Sequence, residues 1–437
     1  MFLCLYILKI VNSMKIIHTA DLHLGQIIYQ NYERSDEHAH FFRQLKNWCR
    51  EEKPDALLVS GDVFDIQQPS AATKQNFTNY FVDLHRQCPD MAIVIVAGNH
   101  DSASRIQADS AVWMLGNTYL IGSSPATDVE EGWQDNYIIR LKSGYIVAMP
   151  YMMGNRKDQI QSVLDRVTAE NTERKPVVMM AHTAVTGLDI TGHSFEIGKL
   201  KTQETETLGC GYDYLALGHI HKPQTIGYMA DFMLEEVTYP APVIRYSGSA
   251  LHVSCDEAYP HTVSVVEIDQ HEGNVSIRQL RIDELRHFYT LPMSGGVFVD
   301  ADEAIREIEC FAQTHGRGYI QLQMDYKIIL PSDFNQQVYD VLAPYNEEIR
   351  YNPKIRWIGT PAKAEGDEKL VFEVAELQQM TDPMTFIEKT IGQYPGFGLE
   401  ELREAFEEVK VEVERLREQE QFAAKARQLK KKMADKI

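Results

Sequence analysis

Three short runs in the first hundred residues are almost unbroken in aliphatic side chains: Lys15-Ile16-Ile17-His18-Thr19, Ala56-Leu57-Leu58-Val59-Ser60 and Ala92-Ile93-Val94-Ile95-Val96-Ala97. A strand with one wet face alternates apolar and polar residues. A strand apolar at nearly every position is buried on both faces. Helical patterns at 36–52 and 71–87 separate the three runs. Doubly buried strands alternating with helices require a layered α/β fold. Further strands are expected at 137–141, 145–149, 177–181, 214–217 and 243–247.

Each of the first three runs ends in a polar stretch: Asp21-Leu22-His23, Gly61-Asp62-Val63-Phe64-Asp65 and Gly98-Asn99-His100-Asp101. Two later runs end in Ala181-His182-Thr183 and Gly218-His219-Ile220-His221. In layered α/β folds, ligand-binding groups gather at the carboxyl ends of strands, so these five stretches can converge. Asp21 and His23, two apart in an extended segment, project to the same side and can hold one cation. Asp62 has two carboxylate oxygens and can bridge two cations. Asn99 offers a neutral carbonyl oxygen. His219 and His221 can send one imidazole to each of two ions. Asp65 lies one step out, nearer substrate. His100 points elsewhere, as a proton donor or phosphate clamp, and Asp101 is placed to hydrogen-bond an imidazole and fix its tautomer. Taken singly, each stretch reads as a turn or a helix cap. Their order and strand placement make the joint reading, a two-metal phosphoesterase site. His193 and His252 fit no ligand pattern and are read as structural.

The rest of the chain bounds this reading. With 437 residues, two or three domains are expected. A net charge of −20 argues against a broad basic coat for nucleic acid. It leaves room for a carboxylate-rich site that cations neutralise. The six cysteines form no C-x-x-C pair, which removes zinc-finger and thioredoxin readings, and isolated thiols read as small buried hydrophobes in a reducing cytoplasm. No G-x-x-x-x-G-K-[ST] stretch is present for ATP hydrolysis. Residues 1–13 are apolar but too short to span a bilayer, and they lack a signal-peptide layout. They read as an extension upstream of a start at Met14, which leaves no membrane role. The segment 14–285 is expected to hold the site. A small α/β domain is expected over 286–358, with strands at 295–299, 319–324 and 349–357. A linker (359–381) and a helical tail (382–437) follow, the tail carrying Leu399, Leu402, Phe406 and Val409 at helical spacing.

The motif set D-x-H, G-D-x-x-D, G-N-H-D, H and G-H-x-H resembles the calcineurin-like metallophosphoesterases. Within them the flanking residues, such as His18-Thr19-Ala20 before Asp21, Lys222-Pro223 after His221, and Arg245-Tyr246-Ser247-Gly248-Ser249, resemble nuclease subunits that pair with SbcC-type, SMC-like ATPases. Residues 1–13 and the insert-like run 231–240 depart from that pattern. The resemblance implies an α/β β-sandwich flanked by helices, a capping domain at 286–358 and a tail that docks on the ATPase. It implies two divalent ions, usually manganese: one held by Asp21, His23 and His221, the other by Asn99, His182 and His219, with Asp62 bridging. It further implies His100 acting on the leaving oxygen, and a homodimer within a heterotetramer in the cytoplasm. The substrates implied are duplex DNA ends, hairpins and single strands, in repair, recombination and replication. The rival expectations are a phosphodiesterase or phosphatase for nucleotides or phosphoproteins, and an inactive scaffold.

Overall fold

The computed structural model describes residues 13–359 except 30, 125–130, 190–201, 227–231, 235–236, 240–241, 254–256, 258, 271–272 and 346–347. Residues 1–12 of the expected extension 1–13, the linker and tail beyond 359, His193, Cys4 and Cys255 lie outside the described residues. The described residues belong to one compact unit.

In chain order the main strands are β1 (Ser13–Thr19), β2 (Ala56–Ser60), β3 (Ala92–Val96), β4 (Thr118–Ile121), β5 (Ile138–Arg140), β6 (Tyr145–Ala148), β7 (Val177–His182), β8 (Tyr214–Gly218), β9 (Gln224–Ile226), β10 (Val243–Tyr246), β11 (Thr262–Asp269), β12 (Val275–Arg281), β13 (Phe288–Leu291), β14 (Gly318–Asp325) and β15 (Ile349–Ile358). The principal helices are α1 (Ser35–Glu52), α2 (Ala71–Gln87), α3 (Lys157–Glu170), α4 (Ala301–His315) and α5 (Phe334–Leu342). Two six-stranded sheets result, ordered β12-β11-β1-β2-β3-β4 and β9-β10-β8-β7-β6-β5. The neighbours from β1 to β4 are parallel, as are β6 to β7, β7 to β8 and β8 to β10.

Alternate residues of the first three runs serve two different cores. Met14, Ile16, Leu58, Val94 and Val96 pack toward the second sheet. Ile17, Leu57, Val59, Ile93 and Ile95 pack under Phe41, Phe42 and Leu45 of α1 and Phe77, Phe81 and Leu84 of α2. Adjacent strand residues point to opposite faces, so burial on both faces demands an apolar residue at each step. The layered α/β architecture is therefore as expected. The insert-like run 231–240 contains a small hairpin, Phe232–Leu234 paired with Val237–Tyr239.

Residues 286–358 enclose their own core, built from Leu291, Phe298, Ile308, Phe311, Leu322 and Tyr351 among others. Helix α4 is capped by Asp300, whose carboxylate accepts from Glu303 N at 2.8 Å. One expected strand is corrected here. The run 295–299 is not a strand: Gly295 and Gly296 take φ of 79° and 88°, and only Phe298 makes an isolated bridge, to Met324. The sheet is completed instead by β13, parallel to β14. Another correction concerns the thiols: Cys49 is buried, but Cys310 is exposed and Cys88 and Cys210 are half-buried.

This module is joined to the sheets through a buried ionic cluster at the start of α1. Glu37, 2% exposed, accepts from Tyr319 Oη at 2.6 Å, Arg350 Nη1 at 3.2 Å, Arg286 Nη1 at 3.3 Å and Arg34 Nε at 2.7 Å. Arg286 also meets Asp36 at 2.6 Å. Phe288 stacks on Tyr319 at 4.5 Å between centroids. The next residue along α1, His38, places its two ring nitrogens 2.9 Å from the Arg34 carbonyl and 2.8 Å from that of Leu22, the residue between Asp21 and His23. No described helix is long and apolar enough to cross a membrane.

Candidate metal centre

The two sheets converge at the carboxyl ends of β1, β2, β3, β7 and β8. Ser60, at the end of β2, is the seam: its hydroxyl donates to Ala216 O at 3.1 Å, and its carbonyl accepts from His182 Nδ1 at 2.8 Å. Such an approach requires a missing side chain. A Cβ on Gly218 would sit 1.8 Å from the Ser60 carbonyl oxygen. A Cβ on Gly98 would likewise sit 2.1 Å from Asp62 Oδ1. The loops that follow are held in unusual conformations. Asp21, His23, Asp62 and His219 have φ of 51°, 45°, 46° and 95°, a region that costs a side-chain-bearing residue about 1–3 kcal/mol and persists only where the surroundings fix it. The fixing bonds run between loops: Asp21 N to Gly61 O, His23 N to Asp62 O, and Leu24 N to Val63 O, all 2.9–3.0 Å.

Two groups of ligand side chains result. Asp21, His23 and His221 bring one oxygen and two nitrogens within 4.8 Å of one another, and so do Asp62, His182 and His219. Asn99 Oδ1 joins the second group, 3.0 Å from His182 Nε2 and 2.8 Å from His219 Nδ1. Asp62 Oδ2 is 3.3 Å from His182 Nε2, while its Oδ1 accepts from His100 N at 2.8 Å. Asp21 accepts from His219 N at 3.0 Å. The seven residues expected as ligands thus meet at one place.

The site suits cations. His23 is 3% exposed, and neither ring nitrogen has a hydrogen-bond partner among the described residues. Its nearest charge is Asp65 Oδ1, 3.3 Å from Nδ1. Burying an imidazole without partners is costly unless something else occupies its lone pair. Burial pushes the Asp21 carboxyl up to about 6, with the Asp62 charge adding and the His182 charge opposing. Burial also opposes the charge on Asp62, but the imidazoles of His182, His23 and His100 outweigh it and hold that carboxyl well below its usual range. For His182, burial disfavours the charged ring, yet Asp62 and Asp21 raise it to about 9. Protons here stand where cations would balance the same carboxylates. Carboxylate, amide and imidazole donors without thiolate favour a borderline or hard cation over a soft one.

His100 lies at the exposed edge, its ring 5.0 Å from that of His23. Its Nδ1 donates to the Asp65 carbonyl at 2.8 Å, which leaves Nε2 on the far side of the ring. Asp65, His23 and His100 form a third group of converging ligand atoms. Asp101 corrects an expectation. Its carboxylate hydrogen-bonds no imidazole among the described residues. It accepts instead from Gly98 N, Phe64 N and Val63 N at 2.8, 2.9 and 3.1 Å, tying the Asn99 loop to the Asp62 loop. Burial and the Asp62 charge push its pKa up, against those three donors.

Sequence reasoning missed Glu257. This carboxylate is 1% exposed; Oε1 accepts from His221 Nδ1 at 2.9 Å, and Oε2 accepts from Val253 N at 2.9 Å. His221 Nε2 is thereby the nitrogen turned to ligand duty, the usual arrangement behind a metal-binding histidine. Glu257 follows no apolar run and carries no motif, so nothing in the sequence marks it. His252 is held by the same region: its ring meets that of His261 at 4.0 Å with the planes tilted by 49°, and its carbonyl accepts from Arg34.

Comparison with known proteins agrees with this geometry. The family model described as calcineurin-like phosphoesterase matches residues 14–223. The chain is 27% identical over 315 residues to SbcD, the nuclease component of SbcCD, from Rhodobacter capsulatus, covering 64% of this chain and 72% of that one. It is 28% identical to the SbcD of Bacillus subtilis over 58% of this chain and 66% of that one. With the SbcD of Staphylococcus saprophyticus it shares 25% identity over 82% and 91%. A solved dimetal phosphatase from Danio rerio covers 62% of this chain at 10% identity and a TM-score of 0.32, too slight a likeness to inform the site. With the motifs of that family seated together at the strand ends, the segment 14–223 is a calcineurin-like phosphoesterase domain, in a chain that resembles the SbcD proteins of SbcCD nucleases.

Proposed function

We propose that this protein is the metal-dependent nuclease subunit of an SbcCD-type complex. It would hydrolyse DNA phosphodiesters as a 3′-to-5′ exonuclease on duplex ends and as an endonuclease on hairpins and single strands, in DNA repair, recombination and replication. The observation that carries the reading is the pair of adjoining ligand groups with His100 beside them. Asp21, His23 and His221 would hold one divalent ion; Asn99, His182 and His219 would hold the other, with Asp62 shared. Manganese fits the donor set. When bound, such ions supply Lewis acidity and charge to balance both the attacking and the leaving oxygen. The chain's own residues do the rest. His100 presents Nε2 to the phosphate and, when charged, passes its proton to the leaving 3′ oxygen. Asp65 fixes that ring through its carbonyl, and Asp101 locks the two loops that carry Asp62 and Asn99. The module at 286–358 would help admit the right form of DNA, and residues 382–437 would dock on an SbcC-type ATPase as an amphipathic helix in a groove. The relatives' names support that partner. The assembly would be a homodimer within a heterotetramer, working in the cytoplasm.

The test is digestion of labelled duplex and hairpin DNA by the full chain, with and without an SbcC-type ATPase, in manganese and after chelation. Manganese-dependent cleavage is expected, with the ATPase's contribution lost when the chain is cut after Thr381. Absence of cleavage under every condition would sink the nuclease reading; an undiminished ATPase effect on the cut chain would sink the docking role.

Glu257 provides a second test that needs no turnover. Its loss frees the His221 ring, and replacing such an orienting carboxylate typically weakens metal binding about 10–100-fold. Manganese titration of Glu257→Ala by calorimetry is expected to show that loss, with a native circular-dichroism spectrum. Unchanged affinity would remove Glu257 from the centre.

A further inference from the structure

Between Asp21 and His23, two residues of the first ligand group, lies a peptide plane that is held at both ends. Its N–H belongs to His23 and donates to Asp62 O at 3.0 Å. Its carbonyl belongs to Leu22 and lies 2.8 Å from His38 Nε2. Among the described residues nothing else donates to that carbonyl. Leu22 is 1% exposed and His38 3%, so losing the imidazole would strand a buried acceptor, which is costly. The other ring nitrogen faces the Arg34 carbonyl, which already accepts from His38 N at 3.0 Å. The tautomer that leaves the fewest carbonyls unpaired therefore carries its proton on Nε2. His23 takes φ of 45°, and turning this peptide over would relieve that conformation. It would also break the bond to Asp62 that holds His23 among the ligands.

The imidazole is itself braced. His38 follows Glu37, which binds Tyr319 and Arg350 of the module at 286–358. Arg34, one turn earlier, donates to Gln26 Oε1 at 2.7 Å, on the far side of His23. Toward α2 the packing is incomplete: a cleft of about 300 Å³ lies between residues 24–27 and Thr73, Asn76 and Tyr80. The polar ties to α1 are then what fixes the loop. Resting on the two-ion reading above, we propose that His38 is a positioning residue: through the Leu22 carbonyl it sets the first ligand group, and the ionic cluster around Glu37 holds it in place. The second group is held by other bonds. Asp101 accepts the amides of Gly98, Phe64 and Val63, and the Ser60 carbonyl binds His182. His38 touches none of these.

The experiment is manganese calorimetry on the full chain, with circular dichroism to confirm folding. Two ions are expected in the wild type, and the step that moves in Glu257→Ala marks the first group. His38→Ala is expected to weaken that step on the order of tenfold and to leave the other unchanged. His38→Gln, whose amide N–H falls near the place of Nε2–H, should restore it. Glu37→Gln loosens the brace without touching the loop and should move the same step in the same direction, which keeps the proposal testable if His38→Ala does not fold. A merely structural histidine would move both steps together or neither. Equal weakening of both ions, an unmoved first step in His38→Ala or Glu37→Gln, or no restoration by His38→Gln would each overturn the proposal. A wild type that binds no manganese would overturn the two-ion reading and this proposal with it, whereas a wrong pattern among the variants would overturn the role of His38 alone.

Discussion

His100→Ala is expected to lower DNA cleavage by about 10²–10⁴-fold while leaving metal binding close to the wild type. The separation follows from how His100 is attached. Its contribution to the ligand set is made by the main chain, through the N–H that binds Asp62 Oδ1 at 2.8 Å, and alanine keeps that donor. Its ring reaches outward, is held by the Asp65 carbonyl, and is exposed where most ligands are buried. On the proposed role, removing the ring takes away proton transfer without unseating Asp62. Single-turnover cleavage and manganese titration on the same preparation would check this. Undiminished cleavage would discard the assigned role, and a parallel loss of metal binding would move His100 into the ligand set.

The second large effect lies away from the centre. Glu37→Ala is expected to destabilise the compact unit by about 3–5 kcal/mol, the usual cost of leaving buried charges unpaired. Glu37 is the acceptor shared by Arg34, Arg286, Arg350 and Tyr319, whereas Asp36, the other carboxylate, contacts two of those arginines. Thermal unfolding of the full chain should show an earlier first transition. Glu37→Gln, which keeps an acceptor oxygen but not the charge, should fall between the two. A transition unchanged in Glu37→Ala would mean that water reaches the cluster and that the junction draws its strength from the ring contacts of Tyr29 with Tyr319 and of His252 with Phe288 instead.

These residues also show where sequence reading succeeds and where it stops. The strands that carry the site were legible because burial on both faces leaves a run with no polar step, as in Ala56–Ser60. The ligand stretches were legible because they close those runs. Strand Val275–Arg281 is an edge with exposed and half-buried positions, so it lacks that signature. Gly295 and Gly296 preceded an apolar triplet that looked like a strand, but their positive φ makes the segment a turn. Nothing in the sequence marks Glu37, in the first turn of α1, as buried. Its burial depends on Arg286, Tyr319 and Arg350, which lie 249 to 313 residues away. Glu257 is hidden for the same reason, since only the fold brings it to His221. Asp101 was rightly placed by its motif but given the wrong partner. Its three donors are backbone groups, which a sequence cannot display.

The left-handed backbone at Asp21, His23, Asp62 and His219 has a consequence for anyone who would transplant this centre. Copying the side chains alone onto another scaffold would not reproduce it, because ordinary strand ends do not leave their next residues in the left-handed region. The graft would have to carry Gly61, Gly98 and Gly218 as well, together with the cross-loop amide bonds that hold these conformations. The portable unit is five loops and two sheet ends, and the ligands are merely the part of it that shows.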